Sequence, residues 1–172
     1  MTHPSSCMTS VLRCRRGSAA VEMALIVPVF LFLAFGAVDL GNYFLSEHAV
    51  VVAVRDGARY AARRYPLACT ATTNDTTSTT AMEVRNLVRT NTIASGGQMR
   101  INNWSDASTI TVAISCNTSG TYNTGIYTGV TNGVPIVTVT ASVPYTSLFN
   151  AFGFTTASVN LNAQAQASVM GA

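Results

Sequence analysis

One carboxylate in this sequence occupies a position where a charge is energetically costly. Glu22 directly precedes Met23–Val38, a run of sixteen residues without a charge, and it follows a leader that contains Arg13, Arg15 and Arg16. A carboxylate in or near lipid is stabilised by a cation, or it must stay at the hydrated edge of the bilayer. Two interpretations follow: Glu22 marks the membrane boundary, or it has a cationic partner.

The rest of the sequence offers no set of groups that a reaction would need. Beyond residue 65 there is no histidine, and the only acidic residues are Asp75, Glu83 and Asp106. Neither a Ser/His/Asp arrangement nor paired carboxylates nor a phosphate-binding loop can be assembled from them. No CxxC motif occurs, and His3 and His48 are far from the cysteines in sequence. We therefore expect a protein that is not an enzyme and that holds no cofactor or metal.

The distribution of charge points to a membrane protein with a polar, weakly charged domain. Charged residues make up only 10% of the 172 residues, against about 25% in soluble domains. Lysine is absent, and seven of the ten arginines precede Tyr65. The net charge is only +3 and the positive residues are concentrated in the N-terminal part of the chain, which argues against a nucleic-acid surface. The length allows one modest domain plus an appendage.

The uncharged run predicts a membrane-spanning helix. Sixteen helical residues cover about 24 Å, short of the hydrocarbon core of about 30 Å, and adding Ser18–Val21 and Leu40–Leu45 makes up the difference. Arginines before the run and Asp39 after it place the N-terminus in the cytoplasm. The predicted organisation is a cytoplasmic leader (1–17), a transmembrane helix (18–45), an amphipathic extension of that helix (46–65) and an extracytoplasmic α+β head domain (66–172).

The four cysteines divide into two pairs on either side of this helix. Cys7 and Cys14 precede it, whereas Cys69 and Cys116 follow it. If the helix crosses a membrane, the second pair lies in an oxidising compartment. We therefore predict a Cys69–Cys116 disulfide, which closes a loop of about 48 residues and is worth about 4 kcal/mol in the chain-entropy model.

Helical periodicity continues beyond the membrane edge. One continuous helix is predicted from about Ser18 to Arg64, and Pro66 ends it. Apolar residues recur on one face at three- and four-residue spacing: Val51, Val54, Ala58, Ala62 and Tyr65.

A stripe of arginines lies beside that apolar face. It consists of Arg55, Arg59 and Arg63, with Asp56 spaced to pair with Arg59. Two interpretations remain open. The stripe is a solvated face near the membrane that meets lipid headgroups, or it is a subunit-packing surface where Gly57 and Ala58 permit close approach.

The C-terminal part predicts a small antiparallel sheet. The segment "TATTNDTTSTT" reads as a polar loop, and "AMEVRNLVRTNTIA" as a short helix whose apolar residues are Met82, Val84, Leu87, Val88 and Ile93. Three strands are predicted in "TITVAISC" (109–116), "PIVTVTASVPYT" (135–146) and "ASVNLNAQAQASV" (157–169). In the second of these, one face is lined by Val137, Val139, Ala141 and Val143. The helix face that carries Val51, Val54 and Ala58 is the available cover for this sheet.

Two features of the N-terminal half resemble a known family. Gly17 stands five residues before Glu22 after a basic leader, an arrangement similar to type IV prepilin signals, which are cut on the cytoplasmic side after the glycine. The stretch "RRGSAAVEMALIVPVFLFLAFGAVDLGNYF", followed by "HAVVVAVRDGARYAAR", resembles the TadE-like family, minor pseudopilins of the tight-adherence (Flp/Tad) pilus system. The ending "VTVTASVPYTSLFNAFGFTTASVNLNAQAQASV" resembles that family's C-terminal strands more loosely.

The resemblance implies a set of site residues and partners. Cleavage falls between Gly17 and Ser18, and Arg15, Arg16 and Glu22 serve peptidase recognition and assembly. The α-ammonium that cleavage creates on Ser18 of a neighbouring subunit then becomes the cationic partner of Glu22. The implied fold is α+β and pilin-like, with a long N-terminal helix packed on a small antiparallel sheet.

The implied location is the bacterial inner membrane, crossed once, with the C-terminal domain in the periplasm or outside the cell after pilus assembly. The implied partners are the inner membrane, prepilin peptidase, and other pilins, pseudopilins and Tad assembly proteins. The main alternative is a signal-anchored envelope protein with a ligand-binding periplasmic head. A secreted domain cut near "AFGA" is disfavoured by Glu22 and by the amphipathic continuation of the helix.

Overall fold

A computed structural model describes residues 18–69, 73–120, 125–130, 132–150 and 159–171. The helices are α1 (Ser18–Arg64) and α2 (Thr79–Thr90). The strands are β1 (Thr73–Asp75), β2 (Ile110–Asn117), β3 (Val134–Pro144) and β4 (Asn160–Ser168). The chain divides into two compact units, the first ending at Gly41 and the second beginning at Asn42, so that the boundary falls inside α1.

The described part of the first unit is helix. Its large apolar side chains are exposed, as with Leu25 at 70% and Phe30 at 66%. Exposing such a side chain to water costs about 1.5–3 kcal/mol, so the segment requires an apolar environment. Within the described residues α1 is the one helix that is long and apolar enough to cross a membrane, in agreement with single-pass membrane anchoring.

The second unit is built on a four-stranded antiparallel sheet. The strand order is β1-β2-β3-β4, and Val139 of β3 lies opposite Val112 of β2 and Ala165 of β4. Alternate residues of β3 are buried, namely Val137, Val139, Ala141 and Val143. The predicted α+β class, the three predicted strands and the apolar face of the central one are thus confirmed.

Strand β1 forms where the sequence indicates only a polar loop. Its three residues pair with β2, Thr73 lying opposite Ile114 and Asp75 opposite Val112. Arg85 of α2 donates hydrogen bonds to the carbonyl of Asp75 (3.1 Å), and also to those of Thr76 (2.9 Å) and Ile110 (3.2 Å). These contacts hold an extended segment at the sheet edge although its residues have low strand propensity.

The buried face of α1 in the second unit is wider than the predicted one. The buried residues are Val50, Ala53, Val54, Gly57, Ala58, Ala61, Ala62 and Tyr65. Val54, Ala58, Ala62 and Tyr65 are buried as predicted, whereas Val51 is only half-buried. The face includes Gly57 because α2 packs closely against it: a Cβ added there would lie 2.5 Å from Cγ2 of Val88.

Helix α2 covers part of the same core. Ser78 caps its N-terminus by accepting the N–H of Ala81, and Asn91 ends it in the left-handed conformation at φ 61°. The predicted short helix is thus confirmed, and its buried residues are Ala81, Val84 and Val88. Two residues of the pattern that predicted it are not part of the core: Met82 is 50% exposed, and Ile93 lies beyond the helix end.

The predicted disulfide is present. Cys69 and Cys116 are bonded with a Cα–Cα distance of 5.7 Å and a sequence separation of 47. The bond fastens the segment that follows α1 to β2, and Cys69 is buried. Cys7 and Cys14 lie outside the described residues.

Candidate functional site

The assembly region predicted from the sequence begins at the first described residue. Ser18 starts α1, and Glu22 lies one turn later on an exposed stretch of the helix. Residues four apart in a helix share a face, so position 18 and Glu22 lie on the same side of α1. Gly17, Arg15 and Arg16, which complete the predicted peptidase site, lie outside the described residues.

The three arginines of the predicted stripe lie on the outer face of α1. Arg55, Arg59 and Arg63 are all exposed. Within the described part of the chain none of them has an ion-pair partner. We call these residues the arginine stripe. Gly57 is not part of its surface, because it is buried against α2, and Ala58 is likewise buried.

Asp56 does not pair with Arg59 as the spacing suggests. Its Oδ2 instead accepts from the Arg100 guanidinium at 3.3 Å, and Arg100 also donates to the Asn91 side chain at 2.6 Å. The partner comes from the loop after α2, a contact that helical spacing alone cannot reveal. It leaves Arg59 without its expected counter-charge.

The C-terminal end of α1 is fastened by a polar cluster that the sequence did not reveal. The Tyr65 hydroxyl donates to Oδ2 of Asp75 at 2.6 Å, and the Ser78 hydroxyl donates to the same oxygen. The other oxygen, Oδ1, accepts the backbone N–H groups of Ser78 (3.0 Å) and Thr77 (3.2 Å). A single carboxylate thereby connects α1, β1 and the start of α2. The only sequence signal was an Asp and a Ser before a helical apolar pattern.

This cluster shifts the pKa of both titrating members. Burial raises the pKa of Tyr65, and its hydrogen bond to the Asp75 carboxylate raises it further. Burial alone would raise the pKa of Asp75, but hydrogen bonds from Ser78, Tyr65 and the Thr77 backbone outweigh that effect and lower it. The neutral tyrosine and the ionised carboxylate are therefore the paired forms.

A second polar contact joins α1 to α2. The Tyr60 hydroxyl donates to Oε2 of Glu83 at 2.7 Å, and Arg64 approaches the same oxygen at 3.5 Å. Burial raises the pKa of Tyr60, and this hydrogen bond raises it further. With Asp56 and Asp75, Glu83 is a third acid of the second unit that is occupied by groups of its own chain.

A groove lies at the beginning of the second unit. It has a volume of about 460 Å³ and is lined by one face of α1, by residues 100–103 and by residues 145–148. Asn42 donates to the Tyr145 hydroxyl at 3.0 Å, and the rings of Tyr43 and Tyr145 pack edge to face with centroids 5.2 Å apart. Sequence reasoning missed this site because Asn42 and Tyr145 are 103 residues apart.

Comparison with protein families gives a match over the N-terminal helix. The family model for "TadE-like protein" matches residues 17–59, which are 43 of the 172 residues and run from Gly17 to Arg59 of α1. The resemblance noted in the sequence is thus confirmed for the helix that carries Glu22, Arg55 and Arg59. Neither the comparison with curated proteins nor that with solved structures gave a match.

Proposed function

We propose that this chain, TadE-like over residues 17–59, is a minor pseudopilin-like subunit anchored in the bacterial inner membrane. It helps to assemble an adhesive type IV (Flp/Tad) pilus or a related secretion apparatus. The observation that carries the proposal is the exposed apolar part of α1, which bears Glu22 near its start, falls within the family match and continues into the second unit. The N-terminus is cytoplasmic and the C-terminal domain periplasmic, and the protein is pilus-associated after assembly.

Processing is the first step of the proposed role. Prepilin peptidase recognises the leader through Arg15, Arg16 and Glu22, and it cuts between Gly17 and Ser18. The cut leaves an α-ammonium on Ser18, the first residue of α1. The mature chain therefore begins with a helix that carries a cation at its first residue and an anion one turn later.

Assembly uses that pair of charges. When apolar helices of neighbouring subunits come together in lipid, the Ser18 ammonium of one subunit pairs with Glu22 of another. Each charge on its own would be costly in the bundle, so the pairing favours one axial register between helices. This accounts for a carboxylate next to an uncharged helix.

The arginine stripe supplies a contact outside the membrane. Three acids of the second unit, Asp56, Asp75 and Glu83, are occupied within the chain. A second copy of this unit therefore offers few acids to the stripe, and an acidic surface on another pilin, pseudopilin or Tad assembly protein suits it better. The role is noncovalent and needs neither a catalytic group nor a cofactor.

Co-purification with pilus components tests the proposal. Full-length tagged protein is expressed in its own host, the envelope is cross-linked, and the pilus and inner-membrane fractions are isolated. The proposal expects the processed chain to be cross-linked to pilins or Tad assembly proteins, and pilus production to fall when the gene is deleted. Normal piliation without the protein, together with no cross-link to these components, would favour an envelope protein with a ligand-binding head.

A further inference from the structure

A turn in the second unit carries an apolar side chain where turns usually carry polar ones. Between Ser147 and Asn150 the chain reverses, since the Asn150 N–H donates to the Ser147 carbonyl (3.3 Å) and the Phe149 N–H to the Ser147 hydroxyl (3.1 Å). Ser147, which accepts both of these hydrogen bonds, is itself buried and therefore holds the turn to the interior of the unit. Leu148 follows Ser147 in this turn and is 57% exposed. Glycine, proline, asparagine, aspartate and serine usually fill such positions, so a leucine here requires an explanation.

The turn is held against the first residues of the second unit. Tyr145, three residues before Leu148, accepts the hydrogen bond from Asn42 and packs against Tyr43. Asn42 is the first residue of this unit and directly follows Gly41 in the chain. The contact with Tyr145 therefore keeps the Leu148 turn close to the start of the second unit, where the chain continues from the apolar segment.

Two further apolar side chains are exposed at the same end of the unit. Phe44 is 58% exposed and Leu45 is 73% exposed, and Leu45 lines the groove together with Leu148. The other groove residues are uncharged except Arg100, whose guanidinium pairs with Asp56. Moving this surface into a less polar environment therefore leaves no unpaired charge among the groove residues. Glu47 and His48, the titratable neighbours on α1, do not line the groove.

We infer that Phe44, Leu45 and Leu148, here called the interface cluster, lie in the interfacial layer of the lipid bilayer. The second unit then rests on the membrane surface through this cluster as well as through α1. Chain continuity identifies lipid as the occupant, because the cluster adjoins the end of the segment that requires an apolar environment. Tyr43, which is half-buried and directly precedes Phe44, suits the same depth, since tyrosine rings favour the level of the lipid headgroups. The inference rests on the membrane anchoring that is part of the proposed function.

Tryptophan probes measure the depth of the cluster. The full-length chain is reconstituted into vesicles of phosphatidylethanolamine and phosphatidylglycerol whose acyl chains are brominated either close to the headgroup or close to the chain end. Variants Leu148→Trp and Leu45→Trp report on the cluster. Phe32→Trp reports on the apolar segment, and Ile126→Trp, at a side chain 56% exposed beside Leu67 and Cys69, is the matched control. The native Trp104 is 1% exposed, and the wild-type chain gives its background.

The inference expects a particular order of quenching. The emission of Leu148→Trp and Leu45→Trp should shift to the blue and be quenched more by shallow than by deep bromines. Phe32→Trp should be quenched more by deep bromines, and Ile126→Trp by neither. If Phe32→Trp is quenched while both cluster probes behave like Ile126→Trp, the cluster is in water or against protein and the inference is wrong, although the anchoring stands. If Phe32→Trp is not quenched either, the anchoring itself is contradicted.

Discussion

Glu22 and Ser18 lie one helical turn apart at the start of α1, and the proposed assembly step needs both of their charges. The carboxylate is exposed on a helix whose neighbouring residues are apolar and exposed as well. In the proposed assembly step a neighbouring subunit brings a cation to this carboxylate inside the bundle. The residue is therefore the most direct point at which to separate assembly from insertion.

Replacing Glu22 should block assembly while leaving insertion intact. Glu22→Ala and Glu22→Gln remove a charge, which makes entry into lipid easier, and cleavage after Gly17 should continue at least in part. The Ser18 ammonium of a neighbour then enters the bundle unpaired, at a cost of about 3–5 kcal/mol, or about two to three decades in the association constant. Cross-linking of the processed protein to pilus components measures this loss.

Glu47→Gln is the matched control, because it removes a carboxylate from the same helix but outside the uncharged run. It should assemble like wild type. Processed Glu22→Ala that assembles as well as wild type would show that the acid only marks the membrane edge.

The Tyr65–Asp75 pair should make stability depend on pH at both ends of the scale. The pKa of Asp75 is below its ordinary value of 3.8, so its contribution is present above that pH and is lost as the pH falls through the folded-state pKa. The pKa of Tyr65 is above 10.0, so its contribution is present below pH 10.0 and is lost as the pH rises towards the folded-state pKa.

Tyr65→Phe should lower the free energy of unfolding by about 1.5–3 kcal/mol near neutral pH, the value of a hydrogen bond to a charged group.

Fluorescence of the buried Trp104 during urea unfolding, repeated across the pH range, follows these changes. The difference between wild type and Tyr65→Phe should shrink above pH 10.0, where the wild type loses the contribution of Tyr65. Because the chain has no lysine, lysine titration does not contribute to the alkaline slope. An equal difference at all pH values would contradict the assigned pair.

Among the secondary-structure elements, the crossing of α1 and α2 depends on the absence of a side chain at Gly57. Gly57→Ala places a methyl group 2.5 Å from Cγ2 of the buried, β-branched Val88, so the helices must separate or Val88 must move. We expect the free energy of unfolding to fall by about 1–3 kcal/mol. Urea unfolding followed by Trp104 fluorescence measures the loss.

Two variants identify the cause of that loss. Gly41→Ala, where no heavy atom lies within 4 Å of the new methyl group, should be neutral or slightly stabilising. Gly57→Ala combined with Val88→Ala should be less destabilised than the sum of the two single changes, because the clash is relieved. Additive losses would show that Gly57 does not act through Val88.

The arginine stripe should determine partner binding without affecting the fold. Arg55, Arg59 and Arg63 are exposed and have no ion-pair partner among the described residues, so changing all three to glutamine should alter the free energy of unfolding little. Cross-linking to pilus components should decrease, and more so at low salt, where the attraction to an acidic surface is strongest.

Arg64→Gln is the control for the stripe, since Arg64 pairs with Glu83 inside the chain. It should leave cross-linking unchanged. If the triple variant is cross-linked like wild type, the stripe is only a solvated face.

The sequence predicts the buried face of an element well only where large apolar side chains form the pattern. In β3 the alternation of valine with threonine and serine identified the buried face correctly. In α1 the buried face also includes Ala53, Gly57 and Ala61, which give a weak hydrophobic signal. The periodicity therefore missed these three residues and included Val51, although it assigned Val54, Ala58, Ala62 and Tyr65 correctly.

At the scale of the whole molecule, sequence patterns did not predict most contacts between residues that are distant in sequence. The disulfide was an exception, because the membrane helix divides the cysteines and leaves one pair outside. Strand β1 is held by Arg85, and the groove by the pairing of Asn42 with Tyr145, and no local pattern indicates either contact. The fold class follows from local periodicity, whereas these surfaces depend on how the elements pack.

The N-terminal sequence of the protein isolated from its own membrane tests the central claim most directly. The account predicts that the chain begins at Ser18 when prepilin peptidase is present, and that Gly17→Ala reduces this cleavage. Intact mass and N-terminal sequencing of the same sample would give the result. A chain that retains its leader in the presence of the peptidase, or one that begins near Ala37 as after a secretory cut, would contradict the proposed pseudopilin-like role.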